Sequence, residues 1–505
     1  AGQPKVMSQS PLKPASASPQ CSTVCSDHEP LYAQIREDLA QWDGITRDMI
    51  DRAMHRWDES DILATLAVVN GTLWLPRPRL RSGEVARHGD PQLQATIRMI
   101  LSILSDPALP TPPDLELLIN ADDYGRVRLK DRTLLPLLSI TKELGRGADI
   151  LYPAGHYSFA GPWISNIGLP PPCGWSDETL YRSRWEGKAP TAYFRGRPNS
   201  HTLSRYALSR LAVEGSAAQR AQYDIGLVWY MKEHDPFMKT RSSLNPNGSA
   251  SPAPLPLLKE ATPADHLSRK YLVSLDGHSY AHRLLKVLAT NSLVVKESLN
   301  GVTSGDAAAV EFYYHLLEPY VHYVPFGVRV DRSSPQLKVS TNLSEVLAAA
   351  DAADERSRKV AEAASSLVHT HLCEAAHRCY MHRLLTEYGR KMRYAPDMAS
   401  RPGARPYPAR RKGGWPGGKP GRDECEALIA ARRPRERDLG TFRTYKVGPG
   451  PPPSRLVGDS SREAAGGGGR GGRAGGSRRG SGRGLGGRGG GGRGGRASRV
   501  LPSRA

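Results

Sequence analysis

The sequence predicts an α/β protein built on parallel sheets covered on both faces, and three observations predict it. Short apolar runs of strand length recur at residues 115–119, 191–194, 271–275, 293–295 and 322–325. Between them lie stretches with apolar side chains at helical spacing, the alternation that favours βαβ units. Several of the runs end in clusters of polar residues and glycine, as strands do where a parallel sheet opens onto a ligand crevice.

Residues 1–27, rich in Pro, Ser and Ala, are expected to be a disordered lead-in. A helix follows, with Leu31, Ile35, Leu39 and Trp42 at the spacing of one buried face. The apolar stretch 62–75 is broken by Thr65, Asn70, Gly71 and Thr72, and no run of 18 or more apolar residues occurs, so nothing here is expected to span a membrane. From Leu93 the pattern is a helix, a Pro-rich break at 107–113, and then the strand at 115–119. Helices are predicted at 203–213, 283–290 and 307–317, and crowded Pro and Ser at 243–256 mark a loop or an interdomain crossing. A long alanine-rich helical region at 343–392 closes the folded part, which is read as 28–394. Residues 395–505 turn to Pro, Gly and Arg, ending from Gly466 in Gly-Gly-Arg repeats that cannot bury a core and are expected to be disordered.

Charge follows the same boundary. The 505 residues carry 70 Lys/Arg against 50 Asp/Glu, a net +20, which alone would suggest a nucleic-acid partner. Residues 401–505 hold 25 of the basic and 7 of the acidic groups, so the body is close to neutral. No Phe, Tyr or Trp follows Tyr445, which removes base stacking from the tail. Nucleic acid is therefore expected as a partner only weakly, through that tail. Six cysteines are too few for a disulfide scaffold, and their number does not reveal the compartment. The sequence opens on Ala1, which fits a processed or incomplete product whose targeting segment is absent.

Chemistry is expected just beyond the strands. After 115–119 come Asn120, Ala121, Asp122, Asp123 and Tyr124; after 191–194 come Arg195, Gly196 and Arg197, with Arg205 further on. After 271–275 come Asp276, Gly277, His278 and Ser279, and then Arg283. An acid facing two groups of cations would supply a base for an acceptor hydroxyl and a clamp for a departing diphosphate. Amides at the helix start after Gly277, joined by a guanidinium, would add to that clamp. Taken singly each group has an ordinary reading: an Asp after a strand is commonly a turn former or cap, and arginines are commonly solvated. Their joint placement is what points to group transfer. His369, His371, Cys373, His377, Cys379 and His382 are dense enough to raise a zinc site but meet no standard spacing, and no metal is expected.

These residues carry a resemblance. The run Leu117 to Tyr124 resembles the Asn-x-x-Asp-Tyr strand end of glycosyltransferase family 90, the capsule-associated-protein type that includes protein O-glucosyltransferases. Ala192-Tyr193-Phe194-Arg195-Gly196, the loop of Gly277 and Arg283, and Glu311 with Pro319 to Pro325 are similar to three further motifs, in order, with Trp185 ahead of the second. The resemblance spans residues 21–394. It implies Asp123 as catalytic base and Arg195, Gly196, Arg197, Arg205, Gly277, His278, Ser279, Arg283 and Glu311 as donor-binding residues. Arg197 stands where the animal pattern has serine, and Arg205 follows a longer loop. The implied fold is the GT-B arrangement of two Rossmann-like domains, with 28–190 mainly the acceptor half, 191–342 mainly the donor half and 343–394 closing helices. The implied activity is inverting, metal-independent transfer, without a cofactor, of glucose or xylose from a UDP-sugar to a protein or glycan hydroxyl. Animal members modify serines of epidermal-growth-factor-like repeats, while others build polysaccharides. The resemblance also implies a disulfide from Cys379 to Cys21 or Cys25, and residence in the lumen of the endoplasmic reticulum or Golgi. Two other classes stay open at this point: an RNA-binding protein acting through the Arg-Gly tail, and a sugar-binding relative without turnover.

Overall fold

A hairpin opens the first sheet. Strands β1 (Leu63–Val69) and β2 (Thr72–Leu75) are antiparallel and joined through Asn70 and Gly71, both at positive φ (50° and 69°). Two left-handed residues in a tight turn match the twist of the flanking strands. β3 (Leu115–Asn120) lies antiparallel beside β1, and β4 (Leu138–Ser139) and β6 (Ile150–Leu151) extend the sheet in parallel beyond it. This sheet is therefore mixed, where a parallel one was expected. β5 (Thr141–Glu143) leaves it to pair with β11 (Ala309–Glu311).

The second sheet is parallel throughout. β7 (Ala189–Gly196), β8 (Tyr223–Leu227), β9 (Arg269–Ser274), β10 (Leu293–Glu297) and β12 (Val324–Phe326) run in the order β12-β10-β9-β7-β8. Alternation along these strands divides their side chains between two cores. Tyr271, Val273, Leu293 and Val295 enter one, and Leu272 and Val294 enter the other, so both faces are covered, as parallel sheets require. A two-stranded ribbon, β13 (Val328–Asp331) and β14 (Lys338–Thr341), follows.

The computed structural model describes residues 21–57, 63–76, 91–153, 184–198, 203–229, 254–261, 263–277, 279–281, 283–298, 309–331 and 337–407. All lie in the first of two units, Ala1–Arg435; the second, Glu436–Ala505, falls outside the described residues, as do residues 1–20, 243–253 and the Gly/Arg repeats. Helices α1 (Ala33–Leu39), α2 (Arg47–Arg56) and α3 (Pro91–Leu104) belong with the first sheet, and α4 (Ser204–Glu214), α5 (Ala217–Gln222), α6 (Pro263–Leu267) and α7 (Leu284–Leu288) with the second. Among the described residues no helix is long and apolar enough to cross a membrane.

Two sequence expectations change here. The helix predicted at 307–317 is instead β11 followed by a 3-10 turn, Tyr314–Leu316. Pairing with β5 and the packing of Phe312 on Tyr380, 4.8 Å between ring centres, decide its conformation. The alanine-rich region resolves into three helices, α8 (Leu343–Ala352), α9 (Asp354–His371) and α10 (Glu374–Lys391), broken at Ala353 and at the extended Cys373. Order also extends past 394. Arg401 forks onto the buried Glu116 at 2.8 and 2.7 Å, and β15 (Arg405–Pro406) adds an edge beside β2.

At the other end, residues expected in the lead-in are held covalently. Cys25 bonds to Cys379 and Cys21 to Cys373, fastening a 3-10 turn (Cys25–Tyr32) to α10. With both sulfurs oxidised, the Cys and His cluster at 369–382 cannot act as a thiolate zinc site. The bridges close loops with sequence separations of 352 and 354 residues. Converting Cys25 and Cys379 together to serine is expected to cost ~2–5 kcal/mol, read as a lower urea midpoint under oxidising conditions that reductant no longer shifts as far.

Candidate active site

The loop that leaves β3 is shaped by its own polar side chains. Asn120 donates to the Tyr124 carbonyl (2.7 Å) and to Ser139 Oγ (3.1 Å), and its Oδ1 accepts from the Asp122 amide (3.1 Å). Asp122 accepts from the Asp123 amide (2.8 Å) and pairs with Arg126 (2.6 Å), so this carboxylate is the turn former. Beneath them the buried Asp149 accepts from Ser139 Oγ (2.6 Å) and from the amides of Arg126 (2.9 Å) and Val127 (3.0 Å). Burial raises its pKa to about 6 despite those donors. Close approach requires Gly125: a Cβ there would stand 2.7 Å from Asp149 Oδ2 and 2.9 Å from the Thr141 carbonyl.

Asp123, half-buried, follows on this loop. Its carbonyl accepts from Thr141 Oγ1 (2.8 Å) and from Ser279 Oγ, which arrives from the loop after β9. One peptide group thus joins the segment bearing the candidate base to the segment bearing the candidate phosphate clamp.

That clamp is built at the carboxyl ends of β7 and β9. Arg205, in the first turn of α4, donates to the Leu275 carbonyl (2.9 Å) and to the Arg197 carbonyl (2.8 Å). Arg283, just ahead of α7, donates to the Arg195 carbonyl. The two guanidinium groups lie over the Phe194 ring, at 5.5 and 5.1 Å from its centre. Two glycines sit close under them: a Cβ on Gly277 would meet the Tyr280 carbonyl at 2.8 Å and an Arg205 nitrogen at 3.3 Å, and one on Gly196 the Phe194 ring at 2.6 Å and an Arg283 nitrogen at 3.3 Å. Burial and then the Arg205 charge work against the cation at Arg283. At Arg205 burial does the same, opposed by Asp276 and Glu297. Two cations held together against these costs form a place where an anion would be stabilised.

Other sequence-predicted residues take other positions. Arg195 follows Phe194 on the strand and so points to the opposite face. There its guanidinium pairs with Asp224, which also holds Arg269 at 2.9 Å, and it stacks on Tyr193. Its side chain is thus apart from Arg205 and Arg283, while its carbonyl positions Arg283. Arg197 likewise contributes its carbonyl and is exposed. Glu311, fully buried, sits opposite Thr141 in the β5–β11 pair and accepts from Tyr313 Oη at 2.9 Å, on the Asp123 side. His278 lies outside the described residues. Arg283 caps a helix of five residues and is not inside the longer one predicted.

Two charged residues that the sequence expectations do not name join Asp276 here. Asp276, Lys296 and Glu297 are all buried at the ends of β9 and β10, with Lys296 3.8 Å from Asp276 and Ser204 Oγ donating to Glu297. The signal was present, since Lys296 and Glu297 end an apolar strand just as the recognised clusters do.

A family model described as glycosyl transferase family 90 matches residues 20–404. The chain is 30% identical over 302 residues to the O-glucosyltransferase rumi homolog of Anopheles gambiae, covering 58% of this chain and 66% of that protein. It is 30% identical over 289 residues to Protein O-glucosyltransferase 1 of Bos taurus and of Homo sapiens, covering 56% of this chain and 64% of each relative. It therefore spans slightly less than two thirds of the length of these curated relatives. Among solved structures, the C-terminal domain of a glycosyl transferase group 1 family protein from Francisella tularensis covers 38% of this chain at 9% identity, with a TM-score of 0.21, too slight a likeness to bear on the fold.

Proposed function

This chain belongs to glycosyl transferase family 90, and from that premise we propose that it transfers glucose or xylose from a UDP-sugar to a hydroxyl of a protein acceptor. The observation that carries the reading is the convergence of Arg205 and Arg283 beside Phe194, with the Asp123 peptide tied to the adjoining loop through Ser279. Asp123 takes the proton of the acceptor hydroxyl as its oxygen attacks C1 from the face opposite the leaving group, inverting that centre. Arg205 and Arg283 stabilise the charge that grows on the departing diphosphate, and with two fixed cations in that role the step needs no metal. The two sheets belong, on this reading, to a GT-B arrangement with the donor held by the parallel sheet. The two disulfides favour maturation in an oxidising lumen, the endoplasmic reticulum or Golgi.

The test is UDP release by purified protein from UDP-glucose and UDP-xylose, with and without a folded epidermal-growth-factor-like repeat. Acceptor-dependent release, with an inverted anomeric centre in the product, is expected for one of the two donors. Donor binding without release would favour a non-catalytic sugar-binding protein, and absence of both would end the reading.

A further inference from the structure

The parallel sheet delivers more charge to the donor pocket than the cations alone. Glu297 ends β10 with 8% of its surface exposed. One of its oxygens accepts from Ser204 Oγ, the residue immediately before Arg205, while Oε2 is buried with no hydrogen-bond donor among the described residues. The charged groups that act on it come from three elements: Arg205 on α4, Asp276 beyond β9, and Lys296 on β10. Arg283, ahead of α7, bears on the same ensemble through Arg205. Two buried carboxylates thus face the cations that a diphosphate would occupy.

An incoming dianion offsets the favourable field of Arg205 at those carboxylates and repels them through a medium of low dielectric. Asp276 has Lys296 at 3.8 Å to compensate it. Glu297 has a neutral hydroxyl on one oxygen and, among the described residues, no donor on the other, so it is the group that responds by accepting a proton. Resting on the donor assignment above, we propose that Glu297 is a positioning residue that takes up a proton from solvent when the UDP-sugar pyrophosphate enters beside Arg205 and Arg283, removing a buried negative charge from the ligand's surroundings while Ser204 stays hydrogen-bonded to it. Atoms balance simply: one solvent proton joins one carboxylate, and no covalent bond of the donor changes.

Burial and the nearby Asp276 already bring Glu297 to about 7 in the free protein, opposed by the Ser204 hydrogen bond, so the uptake falls in an accessible window. A further rise on binding means that donor affinity is constant below that pH and weakens above it, by up to about tenfold per pH unit. The experiment is calorimetric titration with UDP-glucose and UDP-xylose, whose pyrophosphate diesters carry no ionisable proton near neutrality, in buffers of different ionisation enthalpy from pH 6.5 to 8.5. Wild-type protein is expected to take up about half a proton at pH 7, rising toward one at higher pH. Glu297→Gln, fixed in the neutral form, is expected to take up none and to bind with pH-independent affinity. Ser204→Ala removes the donor that favours the carboxylate and is expected to move the onset of weakening to higher pH, a readout that remains if the Gln variant fails to fold. Buffer-independent heats in the wild type, or an unchanged uptake in Glu297→Gln, would overturn the proposal and leave the donor assignment standing. Absence of binding by either UDP-sugar overturns both.

Discussion

Asp123→Asn protein, folded and still binding UDP-sugar, is expected to transfer sugar on the order of a hundred to ten thousand times more slowly than the parent, the loss typical of a removed general base. The neighbouring acid provides the control. Asp122 is committed to its turn, holding the Asp123 amide at 2.8 Å and Arg126 at 2.6 Å. Asp122→Asn keeps an acceptor for the amide and loses only the ion pair, so its effect is expected to be far smaller. The substitution at 123 leaves the backbone carbonyl, and hence the contacts from Thr141 and Ser279, in place. Donor affinity measured by calorimetry should therefore stay near the parent value while kcat falls. An Asp123→Asn enzyme that turns over at the parental rate would remove the base from Asp123.

What could be read from the chain in advance follows the range of the interactions involved. Strands showed as local apolar runs: 115–119 became Leu115–Asn120, and 271–275 became Arg269–Ser274. The hairpin was equally local, because Asn70 and Gly71 between apolar segments are its signal, yet 62–75 reads first as a broken hydrophobic stretch. The strand at Ala309–Glu311 was not legible, since its hydrogen bonds come from residues 141–143. Cysteine pairing is non-local in the same way. The resemblance implied a partner for Cys379 among Cys21 and Cys25, and the fold adds the second bridge to Cys373. At the candidate site, position after a strand puts Arg195 and Arg205 in one cationic group and Arg283 in another, whereas the fold brings Arg205 and Arg283 together and turns the Arg195 side chain away. Strand alternation separates Arg195 from Phe194, and Asp224 on β8 holds it on the far face.

The pair that remains, Arg205 and Arg283, leads to an expectation in which stability and activity part company. In the unliganded protein Arg283 is disfavoured first by burial and then by the second guanidinium, against which stand a hydrogen bond to the Arg195 carbonyl and a contact with the Phe194 ring. Arg283→Met keeps comparable apolar contact with Phe194 and removes the repulsion, so the melting temperature of the free protein is expected to hold or rise. The anion loses one of its two cations, and a preorganised charge aimed at a developing negative centre is commonly worth about a hundred- to a thousandfold in kcat. Activity should therefore fall by that order while stability does not, and the increase in melting temperature produced by UDP in the parent should shrink. Thermal melts with and without UDP, alongside kcat/KM for the donor, separate this from a structural role. A structural arginine would give a destabilised protein whose residual folded fraction works normally, because its loss would be felt in folding and not by the leaving group. A fall in kcat without a fall in stability is the behaviour of a cation pair assembled at the folded state's expense for a ligand that arrives later.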